Sequence, residues 1–280
     1  MSVIVVDQQV VRYEVFGQGR PVLFLHGWHG SWRYWLPTIE CAARQFRTYS
    51  FDFWGFGESR RKHTDVSIQN YSDQVIRFMD ELGIDRVQLV GHSMGGMVAV
   101  KTAINHPDRI SRVAAVGAPI NGDSLSWLLK LTDRPVLADA FVATPWLRRY
   151  MFRLFLGQFN DPSVREILDD SVKSNATTLR HAVGSMWRTD LRPELHRLTT
   201  PALIVHGGHD DVVNPNQAEL FDNVPAAKVV VMPASRHFPF LDEPDAFNDV
   251  LMNFLNQDAP RQRVRAPIKP VAVPSFEGAA

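Results

Sequence analysis

The residues best suited to chemistry form a Gly-His-Ser-Met-Gly sequence at positions 91–95. The apolar run before it, residues 87–90, predicts a buried strand, and the Ala- and Val-rich residues 97–103 after it predict a packed helix. We therefore expect Ser93 on a tight strand-to-helix turn, where the flanking glycines leave room for the backbone and the hydroxyl projects outward. This pattern is typical of a nucleophilic serine, although a chance glycine-rich turn would share it.

A nucleophilic serine needs a base that takes its proton and an acid that orients the base. Asp210 and His237 each follow a later predicted strand, so both should emerge with Ser93 at one edge of a parallel sheet. Asp211 is a competing acid, but Asp210 comes first in its loop and is preferred. The remaining candidate bases lie on the turn itself, beside the acid or in a helical segment: His92, His206, His209, His181 and His196.

Backbone donors for a developing negative charge are expected from two loops. The N–H of Met94 opens the helix after Ser93, where the helix dipole also favours an anion. The loop at 26–30, His-Gly-Trp-His-Gly, follows an apolar strand at 22–25, and its small residues allow a close approach of the Trp28 N–H. Alternatively the glycines only turn the chain, and the two histidines of this loop pack or lie on the surface.

The rest of the chain alternates predicted strands and helices, which is typical of a mainly parallel sheet covered on both faces. Residues 1–120 and 198–257 are expected to form this α/β core, including a helix over 32–46. We assign no chemistry to Asp52 or Glu58. After residue 257 the chain is proline-rich, and we expect residues 258–280 to be disordered.

Residues 121–197 interrupt this alternation with helical, bulky sequence. We interpret them as a helical cap over the carboxyl edge of the sheet, which excludes water and forms an apolar substrate pocket. Arginines at 148, 149 and 153 among the aromatics would also fit an interfacial helix, although they exclude a spanning one. The side chains predicted to contact the substrate are Trp28, Trp146, Trp187 and Phe238.

The amino-acid composition indicates which classes of partner and which compartment to expect. Lysine plus arginine and aspartate plus glutamate each total 30 in a chain of 280 residues, so no net charge favours nucleic acid, and a small molecule fits better. The single cysteine, Cys41, and the lack of a leader or spanning segment favour the cytoplasm. We find no metal-ligand spacing and no dinucleotide fingerprint, and therefore expect no metal and no cofactor. The sequence does not indicate an oligomeric state.

Five separated motifs resemble those of the α/β-hydrolase superfamily. They are Gly91–Gly95, His26-Gly27-Trp28, Asp52 with residues 55–59, residues 207–210, and Arg236-His237-Phe238. The similarity spans residues 10 to about 255. It implies an eight-stranded, mostly parallel sheet with Ser93 as nucleophile, His237 as base, Asp210 as its partner, and the N–H groups of Trp28 and Met94 as oxyanion hole. Arg236 departs from the glycine that many members carry.

The resemblance implies acyl transfer, and the leading hypothesis is hydrolysis of a small or medium apolar carboxylic ester through an acyl-enzyme. Three alternatives remain. The first is cleavage of a carbon–carbon bond in a ring-fission diketone, with Arg180 or Arg236 binding a carboxylate. The second is a cofactor-free perhydrolase or haloperoxidase that uses the same serine. The third is a ligand-binding protein on the same fold, because a fold does not guarantee a function.

Overall fold

The computed structural model describes residues 2–59, 66–156 and 164–257. Eight strands form one sheet in the order β1-β2-β4-β3-β5-β6-β7-β8. The first two strands pair antiparallel, as does β2 with β4, and every other neighbouring pair is parallel. The predicted eight-stranded, mostly parallel sheet is confirmed. The strands are β1 (Ser2–Val6), β2 (Gln9–Phe16), β3 (Arg20–Leu25), β4 (Phe46–Phe51), β5 (Val87–His92), β6 (Ile110–Val116), β7 (Ala202–Gly207) and β8 (Ala227–Met232).

Ten α-helices accompany the described strands, and five of them lie between β6 and β7. The helices are α1 (Leu36–Ala42), α2 (Ile68–Glu81), α3 (Met94–Asn105), α4 (Trp127–Leu131), α5 (Pro135–Val142), α6 (Pro145–Phe155), α7 (Val164–Ser171), α8 (Ala176–Arg188), α9 (Pro239–Asp242) and α10 (Pro244–Asn256). Short 3₁₀ helices lie at Trp32–Trp35, Gly122–Ser124, Arg192–Arg197 and Pro215–Phe221. No helix in these described ranges is both long enough and apolar enough to cross a membrane.

Apolar side chains cover the sheet on both faces because successive strand residues point in opposite directions. In β3, Leu23 and Leu25 pack with α2 and α3, while Val22 and Phe24 pack with α1 and α10. All four are fully buried. The sheet therefore has a hydrophobic core on each side, and its strand ends are rigid supports for the loops that leave them.

The expected helix over 32–46 is partly wrong. The chain forms a 3₁₀ turn at Trp32–Trp35 and then α1, which ends at Ala42. Phe46 instead begins β4, where it is fully buried and pairs with Arg20 of β3. The parallel partner strand sets this boundary, and the partner is not visible in the local sequence. The tail at 258–280 lies outside the described residues.

The central strand β5 lies between β3 and β6, so chain connections leave it in opposite directions on its two sides. In open α/β sheets, ligands bind beyond the carboxyl ends of the strands at such a switch point. Ser93 directly follows β5, and the 26–30 loop directly follows β3. The topology therefore brings the two loops with predicted backbone donors to one crevice.

Candidate active site

Ser93 lies on a strained turn between β5 and α3. Its φ of 52° is positive, which is unfavourable for a residue with a side chain and is often retained at functional sites. A Cβ atom at Gly91 would lie 2.2 Å from the Gly95 carbonyl oxygen, so only glycine fits there. The Ser93 N–H donates to the Val116 carbonyl at 2.8 Å and ties the turn to the end of β6. The serine is thus fixed at the carboxyl edge of the sheet.

The structure joins His237 to Asp210. The Nδ1 atom of His237 lies 2.8 Å from Oδ2 of Asp210, and both residues are buried. The other carboxylate oxygen accepts hydrogen bonds from the N–H groups of Val212 and Val213, each at 2.9 Å. Burial alone would raise the pKa of Asp210, but the imidazole and these two N–H groups outweigh it and lower the pKa. Asp210 is therefore held as an anion that can orient the imidazole.

Gly117 places this pair beside Ser93. A Cβ atom at Gly117, which has a φ of +54°, would lie 3.3 Å from Nδ1 of His237 and 3.4 Å from Oδ2 of Asp210. The residue before it, Val116, accepts the hydrogen bond from the Ser93 backbone. The ends of β5, β6, β7 and β8 thus bring the Ser93 backbone, the His237 imidazole and the Asp210 carboxylate to one edge of the sheet.

Asp211 has a different partner. Its carboxylate accepts a hydrogen bond from Nη2 of Arg236, and both side chains are about half exposed. The Arg236 guanidinium also donates to the Leu154 carbonyl at 3.3 Å. Arg180, the other arginine considered for a carboxylate, lies with Nη2 2.9 Å from Nε2 of His181. The structure therefore brings Asp210, and not its neighbour, to His237.

Trp28 connects the 26–30 loop to the helical segment. Its indole Nε1–H donates to the Leu179 carbonyl in α8 at 2.9 Å, and its ring stacks on Phe141 of α5 with 6.4 Å between centroids. Its backbone N–H has no acceptor among the residues that the structure describes. Met94, the first residue of α3, has an N–H with no acceptor within its helix. Both N–H groups are thus available at the predicted positions.

The other predicted contact residues differ in exposure. Phe238 is buried and lies 4.5 Å from His92 and 6.2 Å from Phe152, measured between ring centroids. Trp146 and Trp187 are 69% and 43% exposed. Their contact with a substrate stays a prediction.

Tyr34 and His92 form a link that sequence reasoning missed. The Gly27 N–H donates to the Tyr34 oxygen, and the Tyr34 hydroxyl lies 3.0 Å from Nδ1 of His92. On its other side, Nε2 of His92 lies 2.9 Å from the His237 carbonyl oxygen. Burial holds the pKa of His92 well below its usual value, so the ring is neutral and can donate to that carbonyl while accepting from tyrosine. Nothing in the residue spacing indicates this link, because its members lie on different elements.

His206 is a buried histidine of β7, and both its ring nitrogens lack a hydrogen-bond partner among the described residues. Burial lowers its pKa to about 4. Between pH 7 and 5 the unfolded chain therefore takes up a proton that the native chain does not, so this group's contribution to stability falls as pH falls from about 6.5 toward 4. At pH 5 the free energy of unfolding is lower than at pH 7 by about 2 kcal/mol because of this group.

We expect His206→Leu to lose less unfolding free energy between pH 7 and pH 5 than the parent, by about 2 kcal/mol, because the titrating ring is removed. Urea unfolding at the two pH values measures this difference. His196→Leu, which makes the same substitution at an exposed histidine, is the matched control. Equal pH dependence in the parent and His206→Leu would contradict the prediction.

Comparison with known proteins relates the chain to a family of known fold. A sequence profile described as the alpha/beta hydrolase fold matches residues 20–244. The chain is 26% identical to a pimeloyl-[acyl-carrier protein] methyl ester esterase of Nitrosomonas europaea, over 85% of this chain and 96% of the relative. It is 28% identical to the dihydrolipoyllysine-residue acetyltransferase component of an acetoin cleaving system of Pseudomonas putida, over 88% of this chain and 66% of that protein's length.

A solved structure shows a similar fold. The enol-lactonase from Burkholderia xenovorans LB400 superposes with a TM-score of 0.75 at 26% identity, and the match covers 91% of this chain and 100% of that one. The interval that the sequence profile matches, residues 20–244, contains Ser93, Asp210 and His237.

Proposed function

Because the chain belongs to the α/β hydrolase fold family, we propose that it is a serine hydrolase that cleaves a carboxylic ester of a small to medium, mainly apolar substrate. Support comes from relatives named as a methyl ester esterase and an enol-lactonase. The observation that carries the proposal is the 2.8 Å contact between His237 and Asp210 beside the strained Ser93 turn. A serine, a base and an orienting acid in series are what acyl transfer requires.

In the proposed cycle, Nε2 of His237 takes the proton of the Ser93 hydroxyl while its oxygen attacks the ester carbonyl. The N–H groups of Trp28 and Met94 stabilise the oxyanion, and loss of such a donor typically costs about a hundredfold or more in rate. The imidazolium returns its proton to the leaving alcohol, which leaves an acyl-serine. Water, deprotonated by the same histidine, releases the carboxylic acid and restores the serine. The cycle consumes one ester and one water.

The helical residues 121–197 serve as a cap in this proposal. The indole bond from Trp28 to α8 and the stacking on Phe141 of α5 join the cap to the oxyanion loop. Arg148 of α6 is 1% exposed, which supports burial of its face of the helix within the cap. Trp28, Trp146, Trp187 and Phe238 are the proposed substrate contacts, and a cytoplasmic location stays a prediction.

A panel of p-nitrophenyl esters of increasing acyl length, combined with a fluorophosphonate probe, tests the proposal. We expect a burst of nitrophenol, turnover of short to medium acyl chains, and a single phosphonate adduct that peptide mapping locates at Ser93. The probe should abolish turnover in proportion to labelling. Labelling elsewhere, or turnover of a ring-fission diketone far above that of any ester, would contradict the proposal, as would stoichiometric ligand binding without turnover.

Tyr34→Phe should lower kcat by about 10- to 100-fold with a smaller change in KM, because the Gly27 N–H and His92 lose the hydroxyl that joins the oxyanion loop to the base loop. A buried donor left without its partner costs about 1–3 kcal/mol. Ester hydrolysis kinetics measure the effect. Tyr150→Phe, at a side chain that is 57% exposed, is the control and should match the parent. Unchanged kcat in Tyr34→Phe would show that the link is not needed.

A further inference from the structure

Within the described part of the chain, Arg148 is a buried cation without an acidic partner. It lies on α6 and is 1% exposed, and its Nη2 donates to the carbonyl oxygens of Ser171 at 2.7 Å and Ser174 at 3.0 Å. Its Nε–H has no partner, and no carboxylate pairs with the guanidinium among the residues that the structure describes. The carbonyls at the end of α7 offset part of the charge. A fully buried charge is nevertheless costly unless an ion of opposite sign accompanies it.

His29 is a second buried polar group with unused hydrogen-bonding capacity. It is 3% exposed, and neither ring nitrogen has a partner among the described residues. Its φ of 64° lies in the left-handed region that favours glycine, so the chain holds this imidazole in place at some cost in backbone energy. Burial and the nearby Arg148 keep its pKa well below the usual value, so the ring is neutral. A neutral imidazole offers one N–H donor and one acceptor.

The two groups share their surroundings. The Arg148 guanidinium lies 5.9 Å from the centroid of Phe141, and the His29 ring lies 5.6 Å from the same centroid. Phe152, one turn after Arg148 on α6, lies 5.4 Å from the His29 ring. Both groups thus lie beside the ring of Phe141, in apolar surroundings.

This pair lies beside the proposed reaction centre. His29 directly follows Trp28, a proposed oxyanion donor, and the two rings are 5.2 Å apart. Phe152 in turn lies 6.2 Å from Phe238, the residue after His237. His29 is therefore on the oxyanion loop and Arg148 on the cap helix α6, and Phe152 of the same helix lies within ring contact of both His29 and Phe238.

We propose that His29 and Arg148 bind a carboxylate carried by the ester substrate, so that the natural substrate is a half-ester or another ester with an anionic end. The Nε–H of Arg148 and one N–H of His29 would donate to the carboxylate oxygens, and the anion would supply the missing opposite charge. The proposal rests on the proposed function, whose serine would cleave the ester at the other end of the same molecule. If Arg148 served only to bind the carbonyls at the end of α7, the buried ring of His29 would have no explanation.

Two p-nitrophenyl esters of the same six-carbon diacid, mono-p-nitrophenyl adipate and methyl p-nitrophenyl adipate, test this assignment because one ends in a carboxylate and the other in a neutral methyl ester. We expect the parent to prefer the charged ester in kcat/KM by tenfold or more. That preference should fall at least tenfold in Arg148→Gln and in His29→Asn. Asparagine is chosen at position 29 because it tolerates a positive φ. Arg148→Lys should restore part of it. Arg149→Gln, at the neighbouring arginine paired with Asp169 and 44% exposed, should keep the parent's preference.

Calorimetric binding of monomethyl adipate and dimethyl adipate to Ser93→Ala separates this inference from the proposed function, because this variant lacks the attacking oxygen and the esters stay intact. We expect Ser93→Ala to bind the monoanion at least tenfold more tightly than the diester, and Ser93→Ala combined with Arg148→Gln to lose that difference. Tight monoanion binding without ester hydrolysis would refute the esterase and keep the subsite. Hydrolysis of both esters with equal kcat/KM and equal binding would refute the subsite. A loss of thermal stability in Arg148→Gln with an unchanged charge preference would likewise assign Arg148 to α7 alone.

Discussion

Ser93→Ala is expected to lower kcat for p-nitrophenyl acetate by about 10⁴-fold or more, because the variant keeps the site but lacks the attacking oxygen. The fold should survive, since alanine takes the same backbone position and Ser93 Oγ supplies no cap to α3. Initial rates in the presence of excess enzyme measure the residual activity. The activity that remains should come from the oxyanion donors and from substrate binding.

The control for this variant is Ser111→Ala, which removes a hydroxyl at the opposite edge of the sheet, where it donates to the Val87 carbonyl. It should hydrolyse esters like the parent. Ser93→Ala combined with His237→Ala should be no slower than Ser93→Ala alone, because the two residues act as one unit. Additive losses, or a Ser93→Ala variant with a tenth of the parent's activity, would show that another group attacks the substrate.

Asp210→Asn is expected to lower kcat by about 10⁴-fold. The amide is neutral and can present an N–H to Nδ1 of His237, which favours the wrong tautomer for accepting the serine proton. The lowered pKa of Asp210 means that the carboxylate is charged throughout the neutral range, so the parent's activity should not depend on its titration above about pH 5. Steady-state kinetics from pH 5 to 9 measure both effects.

Asp211→Asn is the matched control, since it makes the same chemical change one residue away. This side chain is half exposed and pairs with Arg236, and exposed pairs contribute about 0–1 kcal/mol. We expect its kcat to stay within about fivefold of the parent. The reverse order of the two effects would assign the acid to Asp211 and refute the geometry described for His237.

The strand-to-helix turn could be predicted from sequence because its signals are local. An apolar strand, two glycines that leave space and an apolar helix all lie within residues 87–103. The two later loops could be placed at the same sheet edge because each follows a predicted parallel strand. The competition between Asp210 and Asp211 stayed open, since β7 continues to Gly207 and the direction of each side chain depends on that end.

Other parts of the site depend on contacts between distant elements, which local patterns do not contain. The link from Gly27 through Tyr34 and His92 to the His237 carbonyl joins three segments. The burial of Arg148 depends on carbonyls more than twenty residues later. The prediction of a helix over 32–46 was partly wrong for the same reason. Pairing with the distant strand β3 places Phe46 in a strand.

The indole bond from Trp28 to the Leu179 carbonyl has a mechanical consequence. If α8 moves outward to admit a ligand, it must either break this bond or pull the 26–30 loop with it. If the bond holds, entry of a ligand also displaces the Trp28 backbone N–H, the proposed oxyanion donor, and each turnover must include its return. A molecule too bulky for α8 to return would bind and react slowly, so selection by size would appear in kcat and leave KM nearly unchanged.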